Sequence, residues 1–348
     1  MIPRLTLLAL ALATSISLPA AEKTLTVFMY SEYIDPALPA EFEKRTGTKV
    51  DIQLYEAQEE LVAKLRTGGA GQYDVIVASC TVIPQLVALK LVAPLDAAKL
   101  PHSAGIGKDF RGRSYDPQDV YSRAYLWGTT GVIYDSSKVT PPANPPSWMW
   151  LLDPINQPGP VQLMDEMRVM LGLTQLCQGK AMNSRNKDEV RAAADQLIKA
   201  KSAPQSLGFG GGVDGKNKVQ AGQAVAAVVY SGDACRAIAE KPELRYVIPA
   251  EGGEIWIDNL LITAQAPHPA EAHAFIDFML EPAIAARNAD FIQYPTPVEA
   301  ALPMVKAEDR ANPVIYPDAA TMKRLHMVDD LGRDNKLYET MWTMVKSR

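Results

Sequence analysis

Histidine and cysteine are scarce in this chain, at four and three of 348 residues, and much catalytic chemistry goes with them. No Gly-x-Ser-x-Gly elbow occurs, and neither His102 nor His326 accompanies a plausible nucleophile. The other two histidines, in His268-Pro-Ala-Glu271-Ala-His273, are five apart. That spacing does not share a helix face, so they are not adjacent-turn zinc ligands. Gly210-x4-Gly215-Lys216 falls short of a phosphate-binding loop, because Asn217 stands where Ser or Thr is required and no strand leads in. No catalytic residue, metal site or cofactor is expected. A basic stripe or arginine-rich arm is also missing, and the formal net charge is -5, which argues against a nucleic-acid partner. Beyond the N-terminus no apolar run approaches the roughly 20 residues that a membrane-spanning helix needs.

The cysteines, Cys80, Cys177 and Cys235, are an odd number. In an oxidising compartment they allow one bridge, with Cys177–Cys235 the pair to test, or three buried thiols acting as small hydrophobes.

What is present points to a secreted, two-lobed protein. Arg4, a short apolar run from Leu5 to about Ala13, then Pro19, Ala20 and Ala21 have the pattern of a secretory signal peptide over residues 1–21. No cysteine stands there to take a lipid, so a periplasmic, freely soluble product is expected. A length of 348 residues exceeds one usual core, and 47% hydrophobic with 22% charged residues is the composition of a folded globular protein.

Along the chain, residues 24–30 and 49–55 alternate and read as strands. Residues 73–78 form an apolar run suited to a central parallel strand. Helices between them carry Leu38 and Phe42, then Leu61, Val62 and Leu65, and stop at Gly47 and at Gly68-Gly69. Strand–helix–strand–helix–strand within about 55 residues is an α/β lobe whose ligand loops follow the strands' carboxyl ends. After the proline-rich stretch 141–146 the pattern restarts. Strands are expected at 161–164, 224–230 and 245–248, a helix from about Lys187, and a mobile glycine-rich loop over 208–215. His268 and Pro269 read as the start of a helix bearing Phe275, Ile276, Met279 and Leu280.

Five segments, in order, resemble the periplasmic spermidine- and putrescine-binding proteins. They are Tyr30-Ser31-Glu32-Tyr33-Ile34, Tyr73 to Ser79, Tyr125 to Gly131, Ile248 to Asp258 and Tyr294-Pro295-Thr296-Pro297. Within the fourth, Glu251-Gly252-Gly253 followed by Trp256-x-Asp258 is the most specific. The resemblance extends over the whole mature chain. It implies a two-lobed α/β periplasmic binding protein fold with a hinge and an interlobe ligand cleft. The first lobe would hold residues 22–128 plus 258–300, the second 129–257 plus 301–348, with hinge strands at 127–134 and 255–262.

The resemblance further implies a non-catalytic subunit that captures a polyamine, putrescine-like by preference, and delivers it as a monomer to an inner-membrane ABC permease. Docking on a membrane signalling receptor, or capture of another organic cation, are the alternatives. A polyamine needs anions for its ammonium ends and flat apolar walls between them. Asp258 is the foremost carboxylate and Asp233 the second, though Asp233 also suits a charge at a helix N-terminus. Ser31 and Glu32 match binding positions, Glu32 otherwise facing solvent, and Ser79 and Thr81 lie on the third-strand loop. Trp256, Tyr294, Tyr33, Tyr30 and Tyr230 are candidate walls, Tyr30 and Tyr230 being equally suited to the core. Trp127, Trp148 and Trp150 are expected to be structural. The chain departs from the family where the second lobe's acidic ligand aligns with Val169. Either Glu166 substitutes or that end binds something uncharged. Val328 also falls where spermidine-type members are polar.

Overall fold

The apolar run after Tyr73 becomes a strand buried on both faces, and the sheet grows outward from it. The computed structural model describes residues 23–348; the expected signal peptide lies outside the described residues. Strand β1 (Lys23–Tyr30) pairs in parallel with β2 (Thr48–Tyr55) and β3 (Val75–Ser79). Helices Ala37–Thr46 and Gln58–Arg66 make the crossovers, burying Leu38 and Phe42, then Leu61, Val62 and Leu65. The chain continues through β4 (Val92–Ala93) to the long β5 (Arg123–Asp135), and then builds β6 (Val161–Met164), β7 (Ser206–Gly210) and β8 (Ala226–Tyr230). It closes with β9 (Leu244–Val247), the second long strand β10 (Gly253–Thr263) and the short β11 (Leu325–His326).

Among the described residues, all eleven strands belong to one sheet ordered β2-β1-β3-β10-β5-β8-β6-β7, with β4 and β11 added to β10 and β9 to β5. The outer pairs are parallel, while β3–β10, β10–β5 and β5–β8 are antiparallel. Two parallel half-sheets are thus joined through β5 and β10.

Each half-sheet is covered on both faces. Leu25, Val75, Leu126, Leu260 and Phe275 lie in one core cluster, and Phe28, Tyr55, Leu61, Ile76 and Leu261 lie in a second. Val132, Trp148, Leu163, Leu197, Val228 and Tyr338 fill the core of the other half. Ile133, Val219, Val229 and Leu244 fill its second layer. Strand β5 passes from the first half's core at Trp127 to the second's at Val132. Trp148 and Trp150 are core residues of the second half and Trp127 of the first.

Two expectations differ from this packing, and the alternative left open for the cysteines is decided. Residues 208–215 are no free loop: Ser206–Gly210 joins the sheet edge beside β6, and Gly212–Gln220 is a helix whose Gly215 lies against Ala227 and Val229. Cys177 and Cys235 are both free thiols, as is Cys80. The first ends helix Met167–Cys177, its thiol on the Leu173 carbonyl at 3.2 Å, while Cys235 sits by Gln293 and Asn312. Within residues 301–327, expected in the second lobe, Ala301, Val305 and Met327 belong to the first half's core, Val314 packs on the second half, and the second core resumes at Val328.

Candidate functional site

The carboxyl ends of β1, β3 and β8 carry Tyr30, Ser79 and Tyr230, where ligands of open α/β sheets gather. Strand β10 crosses among them. Alternation along an extended strand places Glu254, Trp256 and Asp258 on one face. The ladder sets Trp256 opposite Gly128 and Asp258 opposite Ser79, and its register shifts between Asp258 and Asn259. A bulge of this kind re-aims a side chain out of the regular pleat.

Asp258 is 5% exposed, and its Oδ2 accepts a 2.6 Å hydrogen bond from the Tyr33 hydroxyl. Among the described residues Oδ1 has no donor. Burial pushes the carboxyl up to about 7, and the Tyr33 bond pulls it back only in part. Burial likewise holds the phenols of Tyr30, Tyr33, Tyr230 and Tyr294 well above their ordinary range, with Asp258 adding to each. These hydroxyls therefore stay protonated and can donate.

The rings form a connected wall. Tyr30 and Tyr33 meet edge-on at 5.3 Å, Tyr33 and Tyr294 at 6.0 Å, Tyr294 and Trp256 at 5.0 Å, and Trp256 and Tyr230 at 5.8 Å. Two glycines make room for it. A Cβ on Gly128 would fall 2.3 Å from the Trp256 ring, and one on Gly232 would fall 2.4 Å from the Tyr294 ring. Gly128→Ala is therefore expected to lower stability by about 1–3 kcal/mol, the usual cost of overpacking. Thermal melts with tryptophan fluorescence check this; an unchanged melt would mean that the indole does not rest on Gly128.

The remaining expected residues fall into two groups. Ser79 faces Asp258 across the ladder, and the Thr81 hydroxyl reaches the Ser79 Oγ at 3.3 Å. Ser31 and Glu32 are exposed on the loop after β1, Glu32 with a left-handed φ of 55°. Asp233 lies in the first turn of helix Ser231–Glu240 and is ion-paired with Arg236 at 2.5 Å, so its charge is already matched within the chain. Its pKa is nevertheless raised by burial, against the pull of Arg236 and Lys216, with Glu32 a smaller repulsive neighbour.

On the second half, Val169 is buried in the same core cluster as Met170 and Leu173, and its apolar side chain offers an ammonium no charge. Glu166 caps the same helix and is exposed. Desolvation, then Glu59 and Asp165, push its carboxyl toward 7, but water screens that push more than at the buried acids.

Glu254 was not among the expected site residues. It is 4% exposed, receives the Thr130 hydroxyl on Oε2 at 2.6 Å, and is pushed up to about 7, chiefly by burial, with Glu166 and Asp258 adding repulsion. Its period-two relation to Trp256 and Asp258 was the available signal. Elsewhere, two surface cavities of about 570 and 340 Å³, around Trp150 and around Phe110, lie apart from this cluster. We place the site at the β5–β10 crossing on the chemistry of its side chains.

Two α/β halves joined by crossing strands, with dehydrated carboxylates and edge-to-face aromatic rings at the junction, define a ligand-capturing protein. The chain belongs to the bacterial extracellular solute-binding protein family, whose model matches residues 37–313. It is 30% identical to the putrescine/agmatine-binding protein of Pseudomonas aeruginosa, over 98% of each chain. It is also 30% identical to the spermidine/putrescine-binding periplasmic protein of Escherichia coli, over 97% of this chain and 96% of that one. The spermidine/putrescine ABC transporter substrate-binding protein of Streptococcus pneumoniae superposes with a TM-score of 0.83 at 28% identity, covering 93% of this chain and 99% of that one.

Proposed function

We propose that the chain captures a polyamine in the bacterial periplasm and presents it to an inner-membrane ABC permease, acting as a monomer after removal of residues 1–21. Its two lobes would close about β5 and β10 as a hinge, with the lobe boundary near the C-terminus between Met327 and Val328. The observation that carries this reading is the free oxygen of buried Asp258 beside the Trp256 and Tyr294 rings. An isolated buried carboxylate is costly to ionise. An ammonium supplies the missing charge, and aromatic faces attract it and its attached methylenes by about 0.5–2 kcal/mol each. Ser79, Thr81, Tyr33 and Tyr30 would line the Asp258 end, and Tyr230 and Glu166 the other. Ser31 and Glu32 would approach the ligand only on lobe closure, and Asp233 would act through its partner Arg236 and the adjoining Tyr294. The names of the relatives, which bind putrescine, agmatine or spermidine, support the ligand class.

A thermal-shift screen of putrescine, cadaverine, spermidine, spermine and agmatine tests it. At 100 times its Kd, a ligand bound only by the native state stabilises it by about 2.7 kcal/mol. At least one of the five should raise the melt. A shift with acidic or neutral solutes and with none of these amines would overturn the polyamine assignment.

A further inference from the structure

Taking the ligand to be a polyamine, as above, we propose that Glu254 is the residue that reads the second ammonium and makes this site select diamines over monoamines. Glu254 and Asp258 stand four residues apart on one face of β10, which spans about 13 Å at 3.3 Å per residue, with the Trp256 indole between them. A short diamine laid along the indole would reach both carboxylates with a charge-assisted hydrogen bond of about 2.7–2.9 Å at each end.

Three observations select Glu254 from the acids of this end. Its side chain is buried, and only Oε2 is satisfied, by Thr130; among the described residues Oε1 has no donor. Among the described residues it has no ion-pair partner. Arg168, a cation whose field reaches it, spends its terminal nitrogens on Asn335 and Asn183 and stacks over Tyr338. Finally, Val169 carries no charge and Glu166 is exposed, which leaves Glu254 as the buried anion that accompanies Asp258 on the indole's face. Buried carboxylates without a cation are strongly disfavoured, so Glu254 awaits either a proton or a ligand cation. Glu166, Asp258, the Tyr230 and Tyr246 phenols and the Cys80 thiol are the other titratable groups that bear on this end.

Calorimetric titration of putrescine and of its mono-acetylated form against the wild-type chain, Glu254→Gln and Glu166→Gln decides the matter. Wild type should prefer putrescine at least tenfold, about 1.4 kcal/mol. Glu254→Gln should weaken putrescine by about that factor, leave the acetylated amine nearly unchanged and so erase the preference. Glu166→Gln should have the smaller effect. A Glu254→Gln protein that keeps the wild-type preference, or a preference lost through Glu166→Gln alone, overturns the role. Should Glu254→Gln not fold, wild-type proton release at pH 6 serves instead. Putrescine should release more protons than the acetylated amine, because it forces a second carboxyl to ionise, and equal release overturns the role. Failure of the wild-type chain to bind putrescine at all would instead overturn the polyamine reading on which the role rests.

Discussion

Asp258→Asn should weaken putrescine binding by about 10- to 100-fold, the loss of one charge-assisted contact, while the empty protein melts normally or slightly higher. The two effects separate because of what Asp258 does in each state. Without ligand, its carboxyl is dehydrated and has only the Tyr33 hydroxyl as donor. An asparagine oxygen accepts the same bond and carries no charge to desolvate. With ligand, the missing charge leaves the ammonium buried without its anion, and uncompensated buried charge is strongly unfavourable. Compaction of the two lobes, followed by small-angle X-ray scattering, should then need correspondingly more ligand. A ligand moves an open–closed balance only by its differential affinity for the two states. Glu43→Gln, on the exposed side of helix Ala37–Thr46, should leave binding unchanged. Normal binding by Asp258→Asn would remove the counter-ion from the account.

Affinity should also fall steeply in mild acid, on the order of 20-fold between pH 7.5 and pH 5.5 from Asp258 alone, and more if Glu254 must ionise as well. Amines keep their charge throughout this range, since alkylammonium groups titrate near 10. The carboxyls do not, because both are pushed up to about 7 by burial. The empty protein should show the opposite trend. A carboxyl raised from about 4 unfolded to about 7 folded binds more protons in the native state across that window. Its contribution to stability is therefore present below pH 4, is lost as pH rises to 7, and is flat beyond. Ligand-induced melting shifts should grow from pH 5.5 to 7.5 while these groups lower the unliganded melt. Equal Kd values at the two pH values would mean that no buried carboxylate ionises on binding.

Much of the site's frame was legible because strands advertise themselves by composition. The apolar run of β3 and the alternation of β1 and β2 gave the first half-sheet, and the Trp-x-Asp pair gave one face of β10. Glu254 was passed over because a charged residue directly after Gly252-Gly253 reads as part of a turn. The β10 ladder beginning at Gly253 extends the strand to it, so that its period-two relation to Trp256 puts it on the indole's side. Helix Gly212–Gln220 was hidden by its glycines, each about 1 kcal/mol unfavourable in a helix. Packing outweighs that here, since Gly215 lets the helix approach Ala227 and Val229. The return of Ala301, Val305 and Met327 to the first core is a contact between parts distant in sequence, and local periodicity carries no trace of it. The same holds for the cysteines: three of them allow one bridge or none, and their separation depends on which helix carries each and which core it faces.

The most direct test is a crystal structure of the mature chain grown with putrescine. One ammonium nitrogen should lie about 2.7–2.9 Å from Asp258 Oδ1, with the methylenes along Trp256 and Tyr294 and the far nitrogen toward Glu254. Putrescine bound away from the β5–β10 crossing, or lying there with neither nitrogen on Asp258, would contradict the account.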